Sequence, residues 1–579
     1  MIRRAVFLLL ILPLAAGFRA QAQSAASPRQ AGTAGVAPQE EEAAATYAVE
    51  GVVLNKLTGA PVARALVSAS SDAAFTDQEG RFSLQLAAGR DSIFVVRPGY
   101  DGATAGGMRT LQSHSVNVSE KTPELTFYLT PDAEITGHVT AADGDEPDAF
   151  QFRIYSRQIV NHQRKWVQSS SATADSDGVF ELTNLKAPAE YLFCSQPRIE
   201  GGLASPKTLE YNYPPACFPG GGGFDSAAPL SLAAGQKAEV EIALSKQPFY
   251  PVSIAVQNAL PGPAPSLHIR DQGGLAYDVR EYRDASNSTR VLKLPNGSYS
   301  ATERIQNGES NLYGRVDFKV NGGPVTGLSM TLQPAKPITL EIHTDYTMPE
   351  SATFTDATGK VHKGPAGVWL TWSQTDNSLE SDTTTSFHPA DESSDDGLYK
   401  SQDTWIEPGR YWVQSRLFSS GGYVSAISSG GRDLTSEPLV VGAAGMTAPI
   451  EITLRNDEGD MEVTVNDPDA TDSAVAPGGE KKQRYIYLIP QSSSAMASFL
   501  SQSSGLDLPR SDSSPYRYGN LAPGVYSVAA FDSPQEFDAR DADERSRIAA
   551  RGKTVTVTAG VTTSVQVDLI TTSAGEGNP

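Results

Sequence analysis

Cysteine is nearly absent from this sequence of 579 residues: there are two, Cys194 and Cys217. That excludes the dense disulfide frameworks of small secreted folds and metal centres built on three or four cysteines, and leaves a reactive or metal-binding pair as the minor reading beside a disulfide. Histidine is sparse as well, with seven residues scattered between His114 and His388. None begins an H-x-x-E or H-E-x-x-H pattern, so no zinc hydrolase site is spelled locally. Basic residues are in deficit, 46 Lys and Arg against 67 Asp and Glu, and the net charge of −21 sets the surface against nucleic acid and anionic lipid. No G-x-S-x-G elbow appears, and the glycine-rich PGGGGF at 219–224 lacks the Lys-Ser/Thr of a phosphate loop. Beyond the first residues no apolar run reaches the roughly 18 to 20 residues of a membrane helix, so the mature chain is not expected to be an integral membrane protein. From Tyr47 onward almost nothing reads as helix.

What is present begins with MIRRAVFLLLILPLAAGFRAQAQ, a basic start, a short apolar run and the small-residue pattern Ala20-Gln21-Ala22. Residues 1–22 therefore read as a secretory signal peptide, and the chain as exported to the periplasm or the cell exterior. Residues 23–45, small, polar and unpatterned, read as a disordered tether. From Tyr47 onward, short β-branched and aromatic runs recur between clusters of Gly, Pro, Asn and Asp, the pattern of strands and tight turns.

The runs repeat. TDQEGRFSLQLAAGRDSIFV (76–95) is echoed by ADSDGVFELTNLKAPAEYLF (174–193), TRVLKLPNGSYSA (289–301), SSDDGLYKSQDTWIEPGRYWV (393–413) and SPYRYGNLAPGVYSVAAF (514–531). In each echo an alternating strand meets a Pro/Gly turn and returns as an aromatic-bearing strand. Each is followed by a closing strand: ELTFYLT, EVEIALS, GLSMTLQ, IEITLRN or SVQVDLI. The chain is thus all-β, a tandem array of about five antiparallel β-sandwich modules at 46–131, 132–246, 247–335, 336–456 and 457–571, with a disordered tail at 572–579. The acidic turn DSDG, with Asp175 and Asp177, reads as hairpin chemistry, the glycine supplying a positive φ and the aspartates accepting backbone hydrogen bonds. A calcium site on those two aspartates is the weaker reading, because further ligands at fixed spacing and a distal glutamate are missing. No cofactor is implied.

The stretch GVVLNKLTGAPVARALVSASSDAAFTDQEGRFSLQL, with its G-x-V strand, G-x-P-V turn and T-x-x-x-G-x-F, resembles the carboxypeptidase regulatory-like domain family. That resemblance implies an Ig-like, transthyretin (prealbumin)-like sandwich. It covers the first module well, the second moderately and the fifth through NLAPGVYSVAAF, and the others in rhythm alone. The zinc catalytic domain from which the family takes its name has no counterpart in this sequence, so the resemblance implies fold and not activity.

Cys194 and Cys217 are a short loop apart in an exported chain and are expected to form one disulfide, stabilising by about 3 kcal/mol. Four of the five tryptophans fall in the fourth module: Trp369 and Trp372 in GVWLTWSQ, Trp405 and Trp412 in TWIEPGRYWVQSR. Alternation along a strand puts Trp369 and Trp372 on opposite faces, so one of them should face outward, where an indole can stack on a sugar ring or grip an apolar side chain. These four are the candidate binding residues. The expected role is a secreted, non-catalytic binding or scaffold protein whose partner is a polysaccharide or an extracytoplasmic protein. Two other readings stay open: a hydrolase with a site between modules, and modules that act as spacers alone.

Overall fold

The computed structural model describes residues 45–571 except for 102–111, 142–149, 199–208, 220–222, 259–264, 285–287, 308–309, 335–337, 348–352, 356–360, 364, 366, 376, 380–381, 390–397, 401–405, 419–421, 443–444, 447, 468–483 and 502–514. The signal, tether and tail assignments and Trp405 lie outside the described residues. The rest is a succession of five β-sandwich units that repeat one strand arrangement, with the two layers joined into a continuous sheet in the fourth and fifth.

Each unit is organised by a lead strand with an antiparallel neighbour on one side and its own last strand, parallel, on the other. The lead strands are Thr46–Asn55, Ala133–Ala141, Gln247–Gln257, Leu340–Thr344 and Gly459–Asn466. Their antiparallel neighbours are Arg81–Ala87, Val179–Leu185, Thr289–Leu294, Leu398–Lys400 and Tyr516–Leu521. Their parallel partners, Leu125–Leu129, Lys237–Leu244, Val325–Thr331, Ile450–Arg455 and Thr562–Ile570, fall in the five closing runs. The second layer also repeats. Its central strand, Gly89–Val96, Ala189–Ser195, Gly297–Asn307, Gly409–Leu417 or Gly524–Phe531, lies between an earlier and a later antiparallel neighbour.

Alternation explains why these runs are strands. In Arg81–Ala87, Phe82, Leu84 and Leu86 are buried and the residues between them exposed. Each unit encloses its own core, such as Val49, Leu84, Ile93 and Phe127 in the first and Leu340, Leu370, Phe387 and Ile452 in the fourth. In the second unit Phe180 and Leu182 point inward, and a register shift at Asn184, whose φ is +59°, brings Leu185 inward as well.

The sequence motifs of the first two units have a packing origin. Gly51 pairs across the sheet with Phe82 and Gly137 with Phe180. A Cβ on Gly51 would lie 2.5 Å from the Phe82 ring, and one on Gly137 would lie 2.0 Å from the Phe180 ring. The phenylalanine therefore lies flat over a backbone that only glycine leaves bare. The aromatic returning strand is a tyrosine corner: Tyr299 donates to the Pro295 carbonyl (3.1 Å), Tyr411 to Glu407 (2.9 Å), Tyr526 to Ala522 (2.8 Å) and Tyr191 to Lys186 (2.6 Å).

The fifth unit departs from the all-strand expectation. Helix α1 (Ser493–Ser501) and helix α2 (Ala542–Ala549) interrupt its strands. Asp541 caps α2 by accepting the amides of Asp543 and Glu544, and the acids of its first turn suit the positive helix end. Helix α1 is a wedge, with Ala497 in the core of the fourth unit and Ala495 in that of the fifth. Among the described residues no helix is long and apolar enough to cross a membrane.

The units also touch beyond their neighbours. The hairpin Gln151–Val160/Gln163–Thr173 of the second unit carries its tip to the fourth and fifth. Trp166 N–H donates to the Ser378 carbonyl at 2.8 Å, and Lys165, 6% exposed, donates from Nζ to the carbonyls of Gln374 (2.9 Å) and Asn377 (2.7 Å). Asn161 donates to Asp382 at 2.6 Å. On the side of the fifth unit, the His162 carbonyl accepts the Ala539 amide (2.9 Å), and Arg164 pairs with Glu544 (2.8 Å). Arg540 closes the joint between the fourth and fifth units by donating to the carbonyls of Val413, Leu434 and Thr435. Burial pushes its guanidinium down to about 10, which still leaves it charged at neutral pH. The array is therefore clasped by the second unit across a span of several hundred residues.

Candidate binding cleft between the third and fourth units

The outward face of the second layer in the third unit is built from His268–Asp271, Gly297–Asn307 and Ser310–Val320. Register places His268, Thr302 and Arg315 in one cross-strand row and Arg270, Ser300 and Asp317 in the next. The end of the fourth-unit sandwich stands opposite, contributing Trp372, Gln374, Asn377, Ile406, Glu407 and Tyr411. Between them lies a cleft of about 500 Å³. That volume is within the range of roughly 300 to 1,000 Å³ typical of ligand sites.

Two ion pairs frame it. Arg304 of the third unit donates from Nε to Glu407 of the fourth at 2.8 Å, tying the two walls together. Arg315 and Asp317 pair at 2.9 Å on the sheet face. Burial opposes the charge on Arg315, and the Asp317 carboxylate more than offsets it, holding the guanidinium above its ordinary value. Tyr299 lines the inner edge, and burial pushes its phenol well above the ordinary value, so the hydroxyl stays a neutral donor to Pro295. Lys165 of the second unit, through the carbonyls of Gln374 and Asn377, holds the fourth-unit wall from behind. Gly274 packs against the same loop, where a Cβ would lie 2.5 Å from Asn377 Oδ1.

The tryptophans fall in three environments. Trp369 is 39% exposed on the outer face of Val368–Gln374, with the Phe418 ring 4.2 Å away and the Arg416 guanidinium 5.4 Å from its centroid. Trp372 is 1% exposed and donates from Nε1 to Thr385 Oγ1 at 3.2 Å, so it is a core residue whose edge meets the cleft and not an open stacking platform. Trp412 is half-buried under Arg540, 4.9 Å from its centroid, within the joint to the fifth unit. The indoles at 369, 372 and 412 thus form no single surface.

Asp175 accepts the amides of Asp177 (3.0 Å) and Val179 (2.8 Å) through Oδ1, and Gly178 has φ +76°. Asp77 and Gly80 build the same turn in the first unit. Among the described residues no group of three or more His, Cys, Asp or Glu side chains is placed to hold a metal ion. The Cys194 and Cys217 sulfurs are bonded, joining the central strand of the second unit to the segment behind its long loop.

Apart from Trp372, the cleft residues were not legible in the sequence. The polar ones come from sheet and loop positions between 268 and 407, where alternation marks ordinary polar surface, and the aromatic ones read as core. The available signal was the unusual density of Arg, Ser and Thr on the outward positions of 298–304.

Residues 48–130 match the family described as carboxypeptidase regulatory-like domain, so the first unit carries such a domain. No curated protein matches the chain. Among solved structures, the Bacillus anthracis TIE protein is 13% identical, covering 71% of this chain and 68% of its own, with a TM-score of 0.14. A streptococcal ancillary pilin is 12% identical over 50% of this chain and 100% of its own, with a TM-score of 0.17. A minor pilin of Streptococcus agalactiae is 15% identical over 38% of this chain and 99% of its own, with a TM-score of 0.19.

Proposed function

We propose that this is an exported, non-catalytic scaffold of five sandwiches, with the unit boundaries given above, that binds carbohydrate in the cleft between the third and fourth units. One observation carries the reading: the cleft sets rows of hydroxyl, amide and charged side chains beside the edges of four core aromatics, Trp372, Tyr299, Phe318 and Tyr411, each under a tenth exposed. Sugars present that mixture of apolar ring faces and polar rims. The arrangement favours binding over hydrolysis, because Asp317 and Glu407 are each held by an arginine and neither is positioned as a free acid or base.

Equilibrium binding of the chain to a glycan panel tests this, with two variants. Ser300→Trp fills the cleft from an outward position, and Trp369→Ala removes the exposed indole on the opposite face of its strand. Binding by the wild type that is lost in Ser300→Trp and kept in Trp369→Ala supports the cleft. The reverse pattern moves the site to the Trp369, Phe418 and Arg416 strip. No binding to any glycan removes the carbohydrate reading in favour of a protein partner, and appearance of shortened products restores the hydrolase.

A further inference from the structure

We infer that the cleft selects an acidic polysaccharide, one whose sugars carry carboxylates, with Arg270 as the residue that reads the charge. The inference rests on the carbohydrate reading above and goes beyond it in naming the ligand's chemistry.

Most charged groups in the cleft already have partners. Arg304 is engaged by Glu407 and Arg315 by Asp317. The third carboxylate, Asp271, accepts the Leu275 amide through Oδ1 at 2.8 Å within its own turn. Arg270 and His268 are different. They stand two residues apart on one strand, so both project from the same face, and both are exposed. Neither side chain has a hydrogen-bond or ion-pair partner among the described residues. The hydroxyls of Ser300 and Thr302, directly across the sheet from them, are likewise without one.

Asp317, in the same row as Arg270, is exposed but paired with Arg315, so the groups this face leaves open to a ligand are Arg270, His268 and the neighbouring hydroxyls. They offer a guanidinium fork, which matches the two oxygens of a carboxylate, and hydroxyls at alternate positions of one strand. Successive outward side chains are spaced about 7 Å apart, and Ser298 to Arg304 spans about 20 Å of sheet. That suits an extended chain with repeated polar groups better than a compact anion. An arginine without a partner among the described residues is also a local feature in a chain whose net charge is −21, because that net charge works on average against an acidic polymer. Recognition then depends on close contact with this face and weakens as salt screens it.

The test is calorimetric titration of the chain with oligogalacturonate and with the same oligosaccharide as its methyl ester, which keeps the rings and hydroxyls and removes the charge. Arg270→Gln and Arg270→Lys are titrated in parallel. Arg270 is exposed, so both variants are expected to fold, and a thermal melt verifies it. The inference predicts that the wild type prefers the free acid by at least about tenfold, the scale of one charge-assisted hydrogen bond. It predicts that Arg270→Gln abolishes the preference and that Arg270→Lys retains part of it. Equal binding of acid and ester overturns the inference and leaves the carbohydrate reading standing, as does binding of neutral glycans alone. Binding of polyglutamate as tightly as oligogalacturonate overturns it in favour of an acidic peptide. Binding of neither sugar form, nor of any other glycan, removes both readings together.

Discussion

Lys165 is the side chain through which the second unit supports a wall of the cleft, and Lys165→Met isolates that role. Methionine keeps most of the apolar stem and removes the ammonium that donates to the carbonyls of Gln374 and Asn377 at 2.9 and 2.7 Å. Each charge-assisted bond contributes about 1.5 to 3 kcal/mol, and part of that is offset by the desolvation of a lysine in a buried position. The net loss should be about 2 to 4 kcal/mol, confined to the joint. Loops open locally without global unfolding, so the readout is hydrogen exchange at the Trp166 amide, which donates across the same joint to Ser378. A change of that size accelerates exchange there roughly 30- to 900-fold, while amides in the first unit keep their wild-type rates. Unaltered exchange at Trp166 in a folded Lys165→Met chain would refute the clasp, because the two bonds would then contribute nothing to holding the units together.

Other expectations follow from the same geometry. Tyr526→Phe removes a buried 2.8 Å bond to Ala522 and should destabilise the fifth unit by about 1 to 2 kcal/mol, measured as faster exchange in Gly524–Phe531. Reduction of the Cys194–Cys217 bridge, which closes a separation of 23 residues, should lower the stability of the second unit by about 3 kcal/mol in denaturant titrations with and without reductant. Asp457 is pulled below the usual carboxylate value: burial opposes its charge, and the Arg455 fork and Tyr423 hydroxyl outweigh that. A carboxyl whose folded value is lowered stabilises above its ordinary value of 3.8 and loses that contribution as pH falls through the lowered one. Urea midpoints measured from pH 5 down to pH 2.5 should therefore fall less steeply in Asp457→Asn than in the wild type.

How much of this was visible in the sequence depends on the range of the forces involved. Strands such as RFSLQLA announce themselves because burial alternates with a period of two, and the five echoes repeat because each unit needs the same corner and the same parallel closing strand. The PNGSY, EPGRY and APGVY runs reflect a tyrosine bonding back to a carbonyl four residues earlier, a local event with a local spelling. Helix α1 is different: SSAMASFLS is a short apolar stretch that could serve as strand or helix, and its packing between two units decides the matter. The clasp is less legible still. Asn161, Lys165 and Arg164 sit at a hairpin tip, where polar residues are the rule, and their partners lie more than 200 positions away. The cleft shares that obscurity, since Arg270, Ser300 and Glu407 acquire meaning only when two sandwiches meet.

The most direct test of the account is a hydroxyl-radical footprint of the chain with and without a saturating bound oligosaccharide. Protection concentrated at 268–272, 298–304 and 406–411 is the predicted result. Protection confined to the outer face around Trp369, or to the first unit, would contradict it.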